Sequence, residues 1–254
     1  MSAEVTEDAA LGGRLRLKQP KRGHRVGHDA ILLAAACPAH AGERVVDLGA
    51  GVGAAGLALA LRVAGIEVAL VEVDAALARL AAENAQLNGL SARVSAVVLD
   101  VAAPVRAFAA AGLGPESVAR VLMNPPFNDP ARQRASPDAR RRLAHAGPGG
   151  TLSVWIKSAA RLLRPRGTLT MIWRADGLAE VLQALAPAFG AATVLPVHPG
   201  EEQAAVRILV RATKASRAPL ELLPGLALND RSGRSTAQAE SVLRAGAALP
   251  LSEV

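Results

Sequence analysis

The sequence predicts an α/β fold: a seven-stranded, mostly parallel sheet with helices on both faces and an antiparallel hairpin at one edge. Three observations point there. From about residue 44 onward, short apolar runs rich in valine and leucine alternate with longer alanine-rich stretches, as in a parallel sheet covered on both sides. A glycine-rich turn, Asp47-Leu48-Gly49-Ala50-Gly51-Val52-Gly53, follows the first of those runs. Asn124-Pro125-Pro126-Phe127 follows the fourth, at the strand end where open α/β sheets bind their ligands.

The elements come in regular order. Arg44 to Leu48, Glu67 to Val73, Arg93 to Leu99 and Val118 to Met123 read as the first four strands. Between them, Ala54 to Ala64, Ala75 to Asn88 and Ala102 to Ala111 read as helices. Asp74 is placed to cap the start of the second of these helices, and Gly89 to end it as the C′ residue. Thr151 to Leu163 is expected as a further helix, stopped by Pro165 and Gly167. Thr168 to Trp173 then reads as the fifth strand and Gly177 to Phe189 as a helix. Thr193 to His198 and Ala205 to Ala212 have no helix between them, only the polar link Pro199 to Gln203. They are therefore expected to pair as the antiparallel hairpin. No internal repeat or low-complexity linker appears, so one domain is expected over residues 1–254. Residues 1–40 form its N-terminal extension and helix, 41–213 its core and 214–254 a tail.

Composition bounds the function. With 51% apolar and 20% charged residues, general disorder is excluded. Tyrosine is absent and aromatics are 2%, so an aromatic in any pocket draws notice. Apolar stretches break well short of the roughly 18 residues a spanning helix needs. The N-terminus, MSAEVTEDAA, is acidic and lacks an apolar segment, so it does not read as a signal peptide. The single cysteine, Cys37, excludes an internal disulfide, and a cytoplasmic protein is expected.

The net charge is +7. Two basic clusters stand out: Arg14, Arg16, Lys18, Lys21, Arg22 and Arg25, and then Arg132, Arg134, Arg140, Arg141 and Arg142, directly after the double-proline motif. Basic charge gathered at a site is the footprint of a phosphate backbone. Arg22, Arg25, Arg132, Arg134, Arg140, Arg141 and Arg142 are thus candidate nucleic-acid contacts, with solvated surface charge as the plain alternative.

The motifs carry specific chemistry. Glycines in the first turn permit a tight bend and close approach of a ligand to the backbone, while the next helix offers free N–H groups. Gly51, Gly53 and Gly56 also fit a dinucleotide fingerprint. Asp47 inside the strand weighs against it, since a carboxylate repels a pyrophosphate but suits an ammonium group. Glu72, some twenty residues beyond the turn, is placed for two ribose hydroxyls. Asp100 could accept from an adenine amino group or simply cap a helix. In the Asn-Pro-Pro-Phe loop the prolines hold φ at about −65° and remove two N–H donors. That leaves an amide oxygen, a proline carbonyl and an aromatic face, the parts needed to hold a planar amine. His24, His28, His40, His145 and His198 lack metal-ligand spacing, so no metal is expected. Trp155 and Trp173 are expected in the core, and Cys37 as a small buried residue.

In their order and spacing, DLGAGVG, VEVD, LDV and NPPF resemble the S-adenosylmethionine-dependent methyltransferases with a Rossmann-like fold, over roughly residues 20 to 212. NPPF resembles the subgroup that methylates amines conjugated to π systems. Within it, GHRVGHDAILL (Gly23 to Leu33) and the tail stretch LNDRSGRSTAQAESVLR are similar to the bacterial adenine-N6 methyltransferases of valine tRNA. The arginine-rich loop after NPPF, and His28 where threonine is common, depart from that family. The resemblance implies S-adenosylmethionine as cofactor, with Asp29, Asp47, Gly49, Gly51, Gly53, Glu72, Asp100 and Asn124 around it. It also implies Asn124, Pro125, Pro126 and Phe127 as catalytic residues acting on an exocyclic amine, adenine N6 in tRNA. Guanine N2 of ribosomal RNA and glutamine N5 of a protein remain alternative acceptors. For the glutamine enzymes, a large N-terminal substrate domain would be expected ahead of the glycine turn. A non-enzymatic RNA-binding protein with a vestigial cofactor fold is the other class of reading.

Overall fold

The structure, a computed structural model, describes residues 4–21, 25–126 and 150–252. In chain order they form β1 (Val5–Ala10), β2 (Leu15–Pro20), α1 (His28–Ala36), β3 (Arg44–Leu48), α2 (Ala54–Arg62), β4 (Glu67–Glu72) and α3 (Ala75–Leu87). Next come β5 (Val94–Val98), α4 (Val105–Ala110), β6 (Val118–Met123), α5 (Gly150–Leu162), β7 (Leu163–Arg174) and α6 (Leu178–Leu185). The chain closes with β8 (Phe189–Gly200), β9 (Arg207–Lys214), β10 (Glu221–Leu222), β11 (Leu226–Asn229) and α7 (Ala237–Leu243).

Among the described residues, the expected seven strands run in the order β5-β4-β3-β6-β7-β9-β8. The first five are parallel, and β9 lies antiparallel to both β7 and β8. The hairpin stands where expected, but it is not the last pairing. Two short tail strands, β10 and β11, add in parallel along β8.

Side-chain alternation along the strands divides the core in two. Val45, Val68, Leu70 and Leu122 face α1, α2 and α3, while Val46, Leu48, Val71, Val121 and Met123 face α4, α5 and α6. Each fully buried leucine or valine contributes about 1.5–3 kcal/mol. The tail belongs to the first layer: Leu226, Val242, Leu249 and Leu251 are buried in it, and Leu249 N–H donates to the Ala35 carbonyl (2.9 Å).

Residues 4–20 form a structure the sequence reading did not anticipate. β1 and β2 make an antiparallel hairpin that docks on α3 through amides. Asn84 Oδ1 accepts from Lys18 N–H (2.7 Å) and its Nδ2 donates to the Lys18 carbonyl (2.9 Å). One turn on, Asn88 does the same for Arg16, at 2.9 and 2.7 Å. Two side chains thus supply what a third strand would.

Helix ends obey local rules. Asp74 Oδ1 accepts from the N–H groups of Ala76 and Leu77, capping α3. At the other end Gly89 takes φ +68°, with Gly89 N–H to Gln86 and Leu90 N–H to Ala85, a Schellman closure. At the amino ends of the parallel strands, buried Arg120 grips Glu43 with two bonds of 2.8 and 2.9 Å and reaches Thr168 Oγ1 at 3.1 Å. Burial alone would raise the Glu43 pKa, but the bonds from Arg120 and His40 N–H turn the net shift downward. These bonds tie the strands together at that end of the sheet, and the candidate site lies at the carboxyl end.

Candidate active site

Register sets the site. Leu48 pairs with Met123 and with Val71, and Glu72 with Val98. The residues that follow these strand ends therefore sit side by side along one edge: Asn124, the glycine turn, Glu72 and, beyond β5, Asp100.

The glycine turn is bound to its neighbour. Gly49 and Ala50 N–H groups both donate to the Val71 carbonyl (2.8 and 2.9 Å). Gly49, Gly51 and Gly53 have φ of +70°, +57° and +87°, a region that glycine enters without strain. The three differ in surroundings. A methyl on Gly53 would strike Leu70 and Leu57, whereas one on Gly51 would meet nothing within 4 Å. Gly53 is needed for packing, and Gly51 faces open space.

Glu72 is nearly buried (8% exposed) and held at both oxygens. Oε2 accepts from Gly51 N–H (2.9 Å) and Oε1 from Asp74 N–H (2.8 Å). A carboxylate has about four acceptor positions, so two remain for hydroxyl donors. Asp47 is buried deeper (2% exposed). Its Oδ2 accepts from Gly56 N–H in the first turn of α2 (2.9 Å). Burial pushes its carboxyl up to about 7, the Gly56 N–H pulls down, and the Glu72 charge adds to the rise. Asp47 thus braces turn against helix, and its ionisation sits near neutrality.

The remaining expected positions differ in their surroundings. Asn124 is half-buried, Pro125 buried and Pro126 exposed; Phe127 lies outside the described residues. Asp29 opens α1, but its Oδ2 accepts from Arg207 Nε on β9 (3.0 Å). Asp100 is exposed and accepts from Ala102 N–H (2.8 Å); α4 starts only at Val105, so Asp100 shapes a turn rather than caps that helix. Arg25 pairs with Asp8 at 2.7 Å. Its neighbours in the first basic cluster are similarly matched, Arg16 with Glu7, Lys18 with Glu83 and Lys21 with Glu4. That cluster is largely neutralised from within. Arg22, Arg132, Arg134, Arg140, Arg141 and Arg142 lie outside the described residues.

Two residues at this edge had no site role in the sequence reading: Asn84 was not singled out, and Trp155, expected in the core, is only partly buried. Asn84, fully buried, also donates to the Val52 carbonyl (3.0 Å) inside the glycine turn. Trp155 meets Gly49 directly, since a methyl there would lie 2.8 Å from Cζ3 and closer still to Cη2. A polar residue amid the buried positions of α3 was a visible signal for Asn84; no local signal marked Trp155.

Among the described residues, no group of three or more His, Cys, Asp and Glu side chains is placed to hold a metal. No helix there is long and apolar enough to cross a membrane.

Comparison with known proteins gives this edge its context. The family model for the methyltransferase small domain matches residues 24–200. A tRNA1(Val) (adenine(37)-N6)-methyltransferase of Tolumonas auensis is 31% identical over 179 residues, covering 70% of each chain. A release factor glutamine methyltransferase of Chlorobaculum tepidum is 32% identical over 158 residues, 59% of this chain and 52% of that enzyme. Among solved structures, a predicted O-methyltransferase of Agrobacterium tumefaciens, protein Atu636, has a TM-score of 0.74 at 32% identity, covering 87% of this chain and 98% of that one.

The residues present suit the methyl donor such enzymes use. The open space at Gly51 admits a ligand against the backbone, Glu72 keeps acceptor positions for a ribose, and two buried acids suit a ligand bearing positive charge. With its Rossmann-like sheet and carboxyl-edge glycine turn, the chain belongs to the methyltransferase small domain family and is an S-adenosylmethionine-dependent methyltransferase.

Proposed function

We propose that this chain methylates the exocyclic N6 of an adenine in tRNA, with residues 1–254 acting as one catalytic domain. The observation that carries the reading is the pairing of Leu48 with Met123. It supports the reading by bringing the residues that follow, Gly49 and Asn124, to neighbouring strand ends.

When bound, S-adenosylmethionine supplies an electrophilic methyl group on a sulfonium. The chain supplies position and charge. Glu72 takes the ribose hydroxyls on its remaining lone pairs, Gly51 gives the donor room at the backbone, and Asp47 answers its ammonium. Asp29 and Asp100 flank this end of the sheet. An exocyclic amine is a poor nucleophile because its lone pair is delocalised into the ring. Asn124 Oδ1 and the Pro125 carbonyl accept its two N–H groups, which draws the nitrogen toward tetrahedral geometry and localises that pair. Pro125 and Pro126 fix the loop, and Phe127 stacks on the base. Displacement then depends on alignment and electrostatics, with no covalent nucleophile, and the methylated nitrogen returns to neutrality by losing one of its two protons to water; Cys37 is fully buried, its thiol pushed up to about 12 by burial. A target base must be unpaired or splayed out to reach the edge. The run Arg132 to Arg142 is the proposed contact for the RNA backbone.

Adenine is favoured over other acceptors by the relative named for that activity. The relative named for glutamine methylation keeps a protein amide in view, since a glutamine amide offers the same two N–H donors. Incubation with methyl-labelled S-adenosylmethionine and, separately, total tRNA, ribosomal RNA and release-factor protein tests the reading. Label is expected in tRNA; label confined to protein or ribosomal RNA would overturn it.

A further inference from the structure

α5 runs antiparallel to the strands, so its first turns lie at the carboxyl edge of the sheet. Helical side chains lean toward the helix N-terminus, which aims residues here at the site. Leu152, Ile156 and Ala159 are buried against the sheet. Trp155, on the border of that face, is only partly buried. The far edge of its indole reaches Gly49: a Cβ built there would fall 2.8 Å from Cζ3, 3.4 Å from Cζ2 and nearer still to Cη2. Gly49 is therefore glycine for two reasons, its φ of +70° and the ring pressed against it.

This is an unusual use of a scarce residue, since the chain holds two tryptophans, three phenylalanines and no tyrosine. A ring that served the core alone would be buried, as Trp173 is at 5% exposure. Trp155 instead stands partly open, with its ring against the donor turn. Aromatic faces attract cations, and the donor proposed for this edge carries its positive charge on the sulfonium.

Resting on that reading of the edge, we propose that Trp155 is a positioning residue for methyl transfer. Its indole props the Gly49 turn and forms the aromatic wall beside the cationic end of the donor.

The two tryptophans make the idea readable by fluorescence. S-adenosylmethionine and its neutral product S-adenosylhomocysteine are titrated, by calorimetry and by tryptophan emission, into the full chain and into Trp155→Phe, Trp155→Ala and Trp173→Phe. Saturable emission changes are expected in wild type and Trp173→Phe and should vanish in Trp155→Phe, where Trp173 alone emits. Trp155→Ala should weaken S-adenosylmethionine binding by about threefold to thirtyfold, the range of a cation–π contact. The neutral product should lose less, and Trp155→Phe should retain most of the affinity. Normal calorimetric binding with silent Trp155 emission would overturn the inference and leave the proposed function standing. Equal losses for both ligands would likewise refute the cationic contact. No calorimetric binding to wild type would overturn the reading of the edge itself, and the inference with it. Should Trp155→Ala fail to fold, the Trp155→Phe and Trp173→Phe emission pair decides.

Discussion

Asp47→Asn is the most informative single change. Asparagine keeps an oxygen for the Gly56 N–H bond and removes only the charge. The wild-type carboxyl is raised from 3.8 to about 7, chiefly by burial. That difference of about 3 pKa units, at ~1.36 kcal/mol each, sets a ceiling of about 4 kcal/mol; relaxation brings the expectation to on the order of 1–3 kcal/mol. The sign follows from proton linkage. A carboxyl with a raised folded pKa contributes stability that is fully present below about pH 4 and is lost as pH rises through about 7. The neutral variant has nothing to lose. Its advantage over wild type should be near zero at the acid end, grow between these limits and level off above about pH 8. Urea unfolding followed by circular dichroism across that range measures it, and acids that do not interact with Asp47 cancel in the difference, Glu72 being the coupled exception. A stability difference that stays constant with pH, or a variant less stable at high pH, would refute the buried-charge argument. The same variant should bind S-adenosylmethionine more weakly at pH 8 despite its greater stability, since it cannot answer the ammonium.

Further outcomes follow from other residues. Asn124→Ala should abolish methyl transfer while leaving the affinity for S-adenosylmethionine within a few-fold, as read by calorimetry beside a turnover assay; retained turnover would sink its role. Asn84→Ala strips partners from the Lys18 N–H and carbonyl and from the Val52 carbonyl, so stability should drop by about 2–4 kcal/mol. It should also weaken donor binding, because Val52 belongs to the glycine turn; unchanged affinity would separate the hairpin from the site. Replacing Arg140, Arg141 and Arg142 with glutamine should weaken tRNA binding and flatten its salt dependence. An unaltered slope would return that run to solvated surface.

How far the sequence could be read depended on whether a feature was local. β3 to β6 and β9 were legible because each is a short apolar run bounded by turn residues, β7 and β8, twelve residues each, only in their central runs Thr168 to Trp173 and Thr193 to His198, and the α3 ends because Asp74 and Gly89 act through neighbouring backbone. The N-terminal β1–β2 hairpin was not, although Leu15, Leu17 and Gln19 alternate as its buried face. Its partner VTEDAA reads as polar chain, and its docking relies on amides far along the sequence. β10, two residues long, leaves no pattern. At the site, the glycine turn and Glu72 were visible as motif and spacing. The Asp29–Arg207 pair, 178 residues apart, and the Trp155–Gly49 contact exist only after folding. Asp47 shows a subtler limit: its place in the strand was plain, but not its turning toward the Gly56 N–H.

The central proposal is that this edge methylates adenine N6 in tRNA. Its most direct test is nucleoside mass spectrometry of tRNA after incubation with the full chain and deuterated-methyl S-adenosylmethionine. The account expects labelled N6-methyladenosine, absent with Asn124→Ala. Label appearing only on ribose oxygen, on guanine N2, or nowhere in tRNA would contradict it.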